Sequence, residues 1–181
     1  MNIPDGLLEP LARQIRFKKS LPFISTNILS VLDLGAGVDT PYLKFLKRNS
    51  VNVKEYIALE PRIKKGIRLK KKLPFKDSTF NLIVGFAFLE HVDYPADIMR
   101  EAVRVLKPGG KIIFTAPSPR SKFLLEILSK VGLISGREIS EHKRYFNKES
   151  LFMMLENIKD VKPSHKYFEL GLNNLLIIEK S

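Results

Sequence analysis

No cysteine occurs among the 181 residues, which excludes a disulfide framework, a thiolate metal site and a thiol nucleophile. Long apolar runs are missing as well. The longest mainly apolar stretch, residues 82–89, is far short of the roughly 20 residues that a membrane-spanning helix needs. The opening Met-Asn-Ile-Pro-Asp-Gly lacks the charged start and apolar core of a secretory leader, so a cytoplasmic protein without an integral membrane segment is expected. There are no internal repeats or low-complexity tracts. No His, Asp and Glu grouping has metal-ligand spacing, so no metal is expected, and no serine sits in a nucleophile elbow.

Acid is scarce. Lys and Arg number 31 against 19 Asp and Glu, a net charge of +12. The excess is densest in residues 62–76, where Arg62, Lys64, Lys65, Arg68, Lys70, Lys71, Lys72 and Lys76 have no acid among them. Such a patch attracts phosphate-rich partners such as RNA, or an anionic membrane surface. The simpler reading is a row of lysines guarding an exposed sheet edge.

What is present is a regular alternation. Residues 4–19 predict an amphipathic helix with Leu7, Leu8, Leu11 and Ile15 on one side. Strands are expected at 28–34, 55–59, 67–73, 80–86 and 111–115, and helices at 40–48, 95–106, 122–130 and 148–157. Lys107-Pro108-Gly109-Gly110 reads as a strong breaker between helix and strand. The segments 161–170 and 173–179, joined at Gly171, predict an antiparallel hairpin. Strands alternating with helices specify a doubly wound, Rossmann-like α/β fold. The expectation is a three-layer αβα sandwich of order 3-2-1-4-5-7-6, with the last strand antiparallel.

Chemistry is concentrated where strands end. Val31-Leu32-Asp33-Leu34-Gly35-Ala36-Gly37 carries a strand into an acid and then into a glycine turn, where missing side chains let a ligand approach the backbone. A dinucleotide fingerprint would want Gly or Ala three residues after Gly37, but Thr40 stands there. A carboxylate beside the turn suits an ammonium group better than a pyrophosphate. Glu60, at the end of Tyr56-Ile57-Ala58-Leu59-Glu60, has the geometry to accept from both hydroxyls of a ribose.

Five motif pieces occur in order: Asp33-Leu34-Gly35-Ala36-Gly37, Glu60, the stretch from Leu73-Pro74-Phe75 to Val84, Leu89-Glu90-His91-Val92, and Arg104-Val105-Leu106-Lys107-Pro108-Gly109-Gly110. Together they resemble the class I S-adenosylmethionine-dependent methyltransferases, in particular the group similar to ubiquinone/menaquinone-biosynthesis methyltransferases. A weaker echo follows at Glu141-His142-Lys143-Arg144-Tyr145-Phe146. The resemblance implies that S-adenosylmethionine is the cofactor. Asp33, Gly35, Ala36 and Gly37 would hold its methionine end, and Glu60 with Pro61 its ribose. Phe86 and Ala87 would line the sulfonium region, with Glu90 and His91 at the rim. His91 and His142 are the candidate general bases, since imidazole titrates near neutral pH; each could instead serve a local structural role. Arg144 and Tyr145 are implied contacts to the acceptor, a small or lipid-like molecule.

The chain is expected to be one domain: an N-terminal helical cover (1–27), a cofactor core (28–117), an acceptor-side segment (118–160) and the hairpin (161–181). It departs from the resemblance in two places. Only fourteen residues, 61–74, separate Glu60 from Phe75, which leaves no acid near the adenine position, and Asn81 replaces an acid. Two other readings stay open here: a methyltransferase-like partner protein without catalysis, and an RNA-directed methyltransferase.

Overall fold

A computed structural model of the chain describes residues 8–37, 39–59, 72–130 and 144–181. The described strands are β1 (Asn27–Leu34), β2 (Asn52–Leu59), β3 (Phe80–Phe86), β4 (Leu106–Pro117), β5 (Val161–Phe168) and β6 (Asn173–Lys180). They form one sheet of order β2-β1-β3-β4-β6-β5. β2, β1, β3 and β4 run parallel, and β6 pairs antiparallel with both β4 and β5. This is the expected order for the six strands. The seventh expected strand, 67–73, falls almost wholly outside the described residues; Lys72 and Leu73, its described end, are not in a strand.

The helices are α1 (Glu9–Ser20), α2 (Pro41–Arg48), α3 (Pro95–Val105), α4 (Ser121–Lys130) and α5 (Lys148–Met153). Proline opens α2 and α3, where its missing N–H costs nothing and its fixed φ suits the first turn. Asn147 starts α5 with a reciprocal cap, accepting from the Ser150 N–H while the Ser150 hydroxyl accepts from the Asn147 N–H.

Alternate residues of the central strands feed two cores. Leu32, Leu34, Ile83, Ile112 and Phe114 pack on one face with Ile98, Met99, Ala102 and Val103 of α3 and Leu151 of α5. Val31, Leu82, Val84 and Ile113 pack on the other with Phe17 of α1 and Tyr42, Phe45 and Leu46 of α2. Helices on both faces of a mostly parallel sheet make the α/β sandwich.

Three expectations need correction. Leu11 does not face the sheet: it is 60% exposed. α1 instead buries Phe17 and Ser20, because the Phe17 ring meets those of Tyr42 at 5.0 Å and Phe86 at 4.9 Å. Burying that ring contributes about 2–3 kcal/mol and decides the helix rotation. Lys107-Pro108-Gly109-Gly110 does not separate helix from strand as a free turn; β4 begins at Leu106, directly after α3. The register jumps from Phe80↔Leu106 to Leu82↔Lys111, so these residues form a bulge, with Gly109 at φ +73°. α5 ends at Met153, short of the expected 157.

Candidate functional site

The carboxyl ends of β1 and β3 lie side by side, and the chain order reverses between them. Ligands of doubly wound sheets bind in the crevice at such a switch point. The turn after β1 is held against β2: the Gly35 and Ala36 N–H groups donate to the Leu59 carbonyl at 2.7 and 3.3 Å.

The two glycines of this turn do different work. Gly35 has φ +77°, and a Cβ there would lie 2.8 Å from Phe88 Cδ2. Its bareness therefore makes room for the buried Phe88 ring rather than for a ligand. Gly37, at φ +71°, has only Pro41 ring carbons near its would-be Cβ, at 3.9 Å. Among the described residues nothing stands closer to that position. Phe88 is a residue that sequence reasoning missed; it also lies 3.3 Å from the would-be Cβ of Gly85, a position crowded more closely by Phe114 at 2.7 Å.

Asp33 is buried, 2% exposed, and accepts a hydrogen bond from the Tyr56 hydroxyl at Oδ2. Burial holds the Tyr56 phenol protonated far above its ordinary range, and the Asp33 charge adds to the shift. Burial likewise pushes up Tyr42, whose hydroxyl meets Ser20 Oγ at 2.8 Å and which also senses Asp33. The Ser20 hydroxyl donates to the Phe17 carbonyl at 2.7 Å. The bond from Tyr56 is made by a neutral donor and does not itself cancel the carboxylate charge.

Across the crevice, Phe86 is half-buried in the aromatic cluster, 4.7 Å from the Tyr42 ring, so it packs in the core as well as standing at the strand end. Ala87 takes φ +50°, and its N–H donates to both the carbonyl and the hydroxyl of Thr115 at 3.1 Å. That fork pins the end of β3 to β4. Glu90 and His91 follow on a short 3-10 turn, Leu89–His91; Glu90 is fully buried and His91 half-buried.

The segment after residue 143 comes back to this rim. Arg144 donates from Nη1 to the Val92 carbonyl at 2.8 Å and from Nη2 to that of Asp93 at 3.2 Å. Its guanidinium thus clamps the loop leading into α3. Phe146 is tied to the end of β4 through the Pro117 carbonyl at 3.0 Å, and its own carbonyl accepts from buried Asn174 at 2.8 Å. Between them Tyr145 is half-buried; burial raises its phenol, and Glu126 and Glu90 reinforce the shift. Glu60, Pro61 and His142 lie outside the described residues. So do most of the basic residues 62–76, of which Lys72 and Lys76 are exposed.

Asn81 has a structural role away from the crevice. Its Oδ1 accepts from Ser30 Oγ at 2.9 Å and Lys107 Nζ at 3.3 Å, joining β1, β3 and the β4 bulge. The Leu73 to Asp77 strap is structural too. Arg104 donates to the Leu73 and Phe75 carbonyls at 3.1 and 2.9 Å, to Asp77 at 2.6 Å and, through Nε and Nη2, to Glu101 at 2.8 and 2.7 Å. Two motif pieces far apart in sequence are one tie in space.

Residues 6–161 match a model of the methyltransferase domain family. The chain is 29% identical to norajmaline N-methyltransferase of Rauvolfia serpentina over 124 residues, covering 59% of this chain and 42% of that protein. It is 37% identical over 54 residues to a ubiquinone/menaquinone biosynthesis C-methyltransferase of Desulfotalea psychrophila, covering 30% of this chain and 22% of that protein. The matched stretch is thus under half the length of these curated relatives. An S-adenosylmethionine-dependent methyltransferase of Archaeoglobus fulgidus shares the fold at a TM-score of 0.63 and 17% identity, covering 93% of this chain and 94% of that one. With the sheet order, the glycine turn and the family match in agreement, the chain belongs to the methyltransferase domain family, on the class I S-adenosylmethionine-dependent fold.

Proposed function

We propose that this domain transfers a methyl group from S-adenosylmethionine to a small-molecule acceptor. The observation that carries the reading is the buried Asp33 carboxylate beside the bare Gly37 backbone at the β1–β3 switch point. In this reading Asp33 receives the ammonium of the cofactor's amino-acid end, and the turn from Gly35 to Gly37 lies along it. Glu60 and Pro61 take the ribose side. S-adenosylmethionine supplies a methyl already activated on a sulfonium, so the protein's task is alignment and exclusion of water.

Phe86, Ala87 and the 3-10 turn bearing Glu90 and His91 form the wall opposite the glycine turn. Tyr145 stands at the acceptor side as a neutral phenol, and burial, reinforced by Glu126 and Glu90, raises it further. Arg144 fixes the rim through the Val92 and Asp93 carbonyls. His91 and His142 are the groups that take a proton where the acceptor must lose one. Residues 1–27 and 118–160 shape the acceptor site around the cofactor core of 28–117. A small acceptor is favoured because relatives are named for norajmaline and for ubiquinone/menaquinone biosynthesis.

Calorimetric titration with S-adenosylhomocysteine tests the reading. One saturable site in the wild type, weakened at least tenfold in Asp33→Asn, is the expected result. A wild type that binds no nucleoside would sink the assignment and leave a partner-protein role. Transfer of labelled methyl into RNA, with none into small molecules, would overturn the acceptor class alone.

A further inference from the structure

We infer that Tyr56 is a positioning residue that sets the Asp33 carboxylate for the cofactor's ammonium group; this rests on the reading of Asp33 given above. The directions of the hydroxyls follow from their fixed ends. An ionised carboxylate can only accept, so the bond between Tyr56 and Asp33 carries the proton of the phenol. The Tyr56 hydroxyl therefore donates to Asp33 Oδ2. A carbonyl can only accept, so the Ser20 proton goes to Phe17 O. The Tyr42 hydroxyl must then donate to Ser20 Oγ, and its proton is committed away from Asp33.

Of the two phenols that sense Asp33, one holds the carboxylate and the other holds α1. The hydrogen bond from Tyr56 to Oδ2 restricts the side-chain torsions of Asp33. Because the phenol is neutral, it does so without neutralising the charge that an ammonium would meet. Burial keeps Tyr56 protonated, so the donor persists across the working pH range.

The test uses two nucleosides, S-adenosylhomocysteine, which carries the amino-acid end, and 5′-methylthioadenosine, which lacks it. In Tyr56→Phe the affinity for the first is expected to fall roughly tenfold, with the second unchanged. In an Asp33→Asn background, Tyr56→Phe should cost nothing further, since its effect runs through the carboxylate. Equal weakening of both nucleosides, or an undiminished loss in the Asp33→Asn background, would assign Tyr56 a merely structural role. Wild-type affinity in Tyr56→Phe overturns the role of Tyr56 and leaves the cofactor assignment intact, whereas failure of the wild type to bind either nucleoside removes both. Should Tyr56→Phe fail to fold, Tyr56→His, which keeps an N–H donor on an aromatic ring, replaces it. Near-wild-type affinity for S-adenosylhomocysteine supports the role, and a tenfold loss there overturns it.

Discussion

Asp33 near the end of β1 and Glu101 on α3, beside the strap before β3, are two carboxylates held by different kinds of donor. Asp33 accepts from the phenol of Tyr56, a neutral donor. Glu101 is gripped by both Nε and Nη2 of Arg104 and also accepts from the Leu73 N–H at 2.8 Å. A carboxylate whose charge is already matched by a guanidinium is committed to holding the fold. One that accepts from a neutral phenol is not discharged by that bond. Glu101 thus fastens the fold, whereas Asp33 is the carboxylate proposed to meet the ligand.

The sharpest way to break this comparison is Arg104→Ala. It removes the donors to two carbonyls and two carboxylates and leaves Glu101, 13% exposed, without its countercharge. The expected loss is about 3 kcal/mol in urea unfolding; the Asp77 bond adds little because that side chain is 77% exposed. Affinity for S-adenosylhomocysteine should survive in the folded fraction. Loss of binding with stability intact would mean that the strap belongs to the site after all.

Gly35→Ala comes next. The new Cβ must sit 2.8 Å from the Phe88 ring at a φ of +77°, and the crowding and backbone strain together predict a loss of about 2 kcal/mol. Trimming the ring in Phe88→Leu should recover part of it, since the clash is with that side chain. No recovery would show that the strain lies in the backbone alone.

These two expectations show what could be read from residues and what could not. The described strands follow from apolar runs ending in acids and glycines, and the placement of Asp33, Gly35 and Gly37 at the carboxyl end of β1 was legible for that reason. The reason for Gly35 was not, because the ring that fills its missing side chain lies 53 residues further along the chain. Leu11 was misread because an amphipathic stripe says nothing of which neighbour wins. Phe17 won by entering an aromatic cluster built from three separate elements. Tyr56 drew no notice as one residue of a strand; only the fold brings its hydroxyl to Asp33.

Acid sharpens the contrast more gently. The side-chain hydrogen bonds from Arg104 are the largest influence on Glu101 and hold its carboxyl below the ordinary range, with the Leu73 N–H and nearby positive charge assisting against burial. A group whose folded pKa is depressed stabilises the fold above its unfolded pKa and loses that contribution as pH falls through the folded value. Unfolding free energy should therefore decline more as pH falls below the ordinary carboxylate range in the wild type than in Glu101→Gln. Parallel curves for the two proteins would show that the fork does not depend on charge.

The smallest expected change in stability is also the one most tightly bound to function. Among the described residues, the methyl of Gly37→Ala meets only Pro41 carbons at 3.9 Å, so strain at φ +71° is the cost expected from them, about 1 kcal/mol. If the bare backbone at Gly37 is a surface on which the cofactor lies, the same methyl should weaken S-adenosylhomocysteine binding by more than that strain accounts for, roughly tenfold or beyond. Gly35→Ala would then harm stability first and Gly37→Ala affinity first, from positions two residues apart. Equal affinity in Gly37→Ala and wild type would place the ligand elsewhere along the sheet edge and leave Asp33 as a buried carboxylate serving only its neighbours.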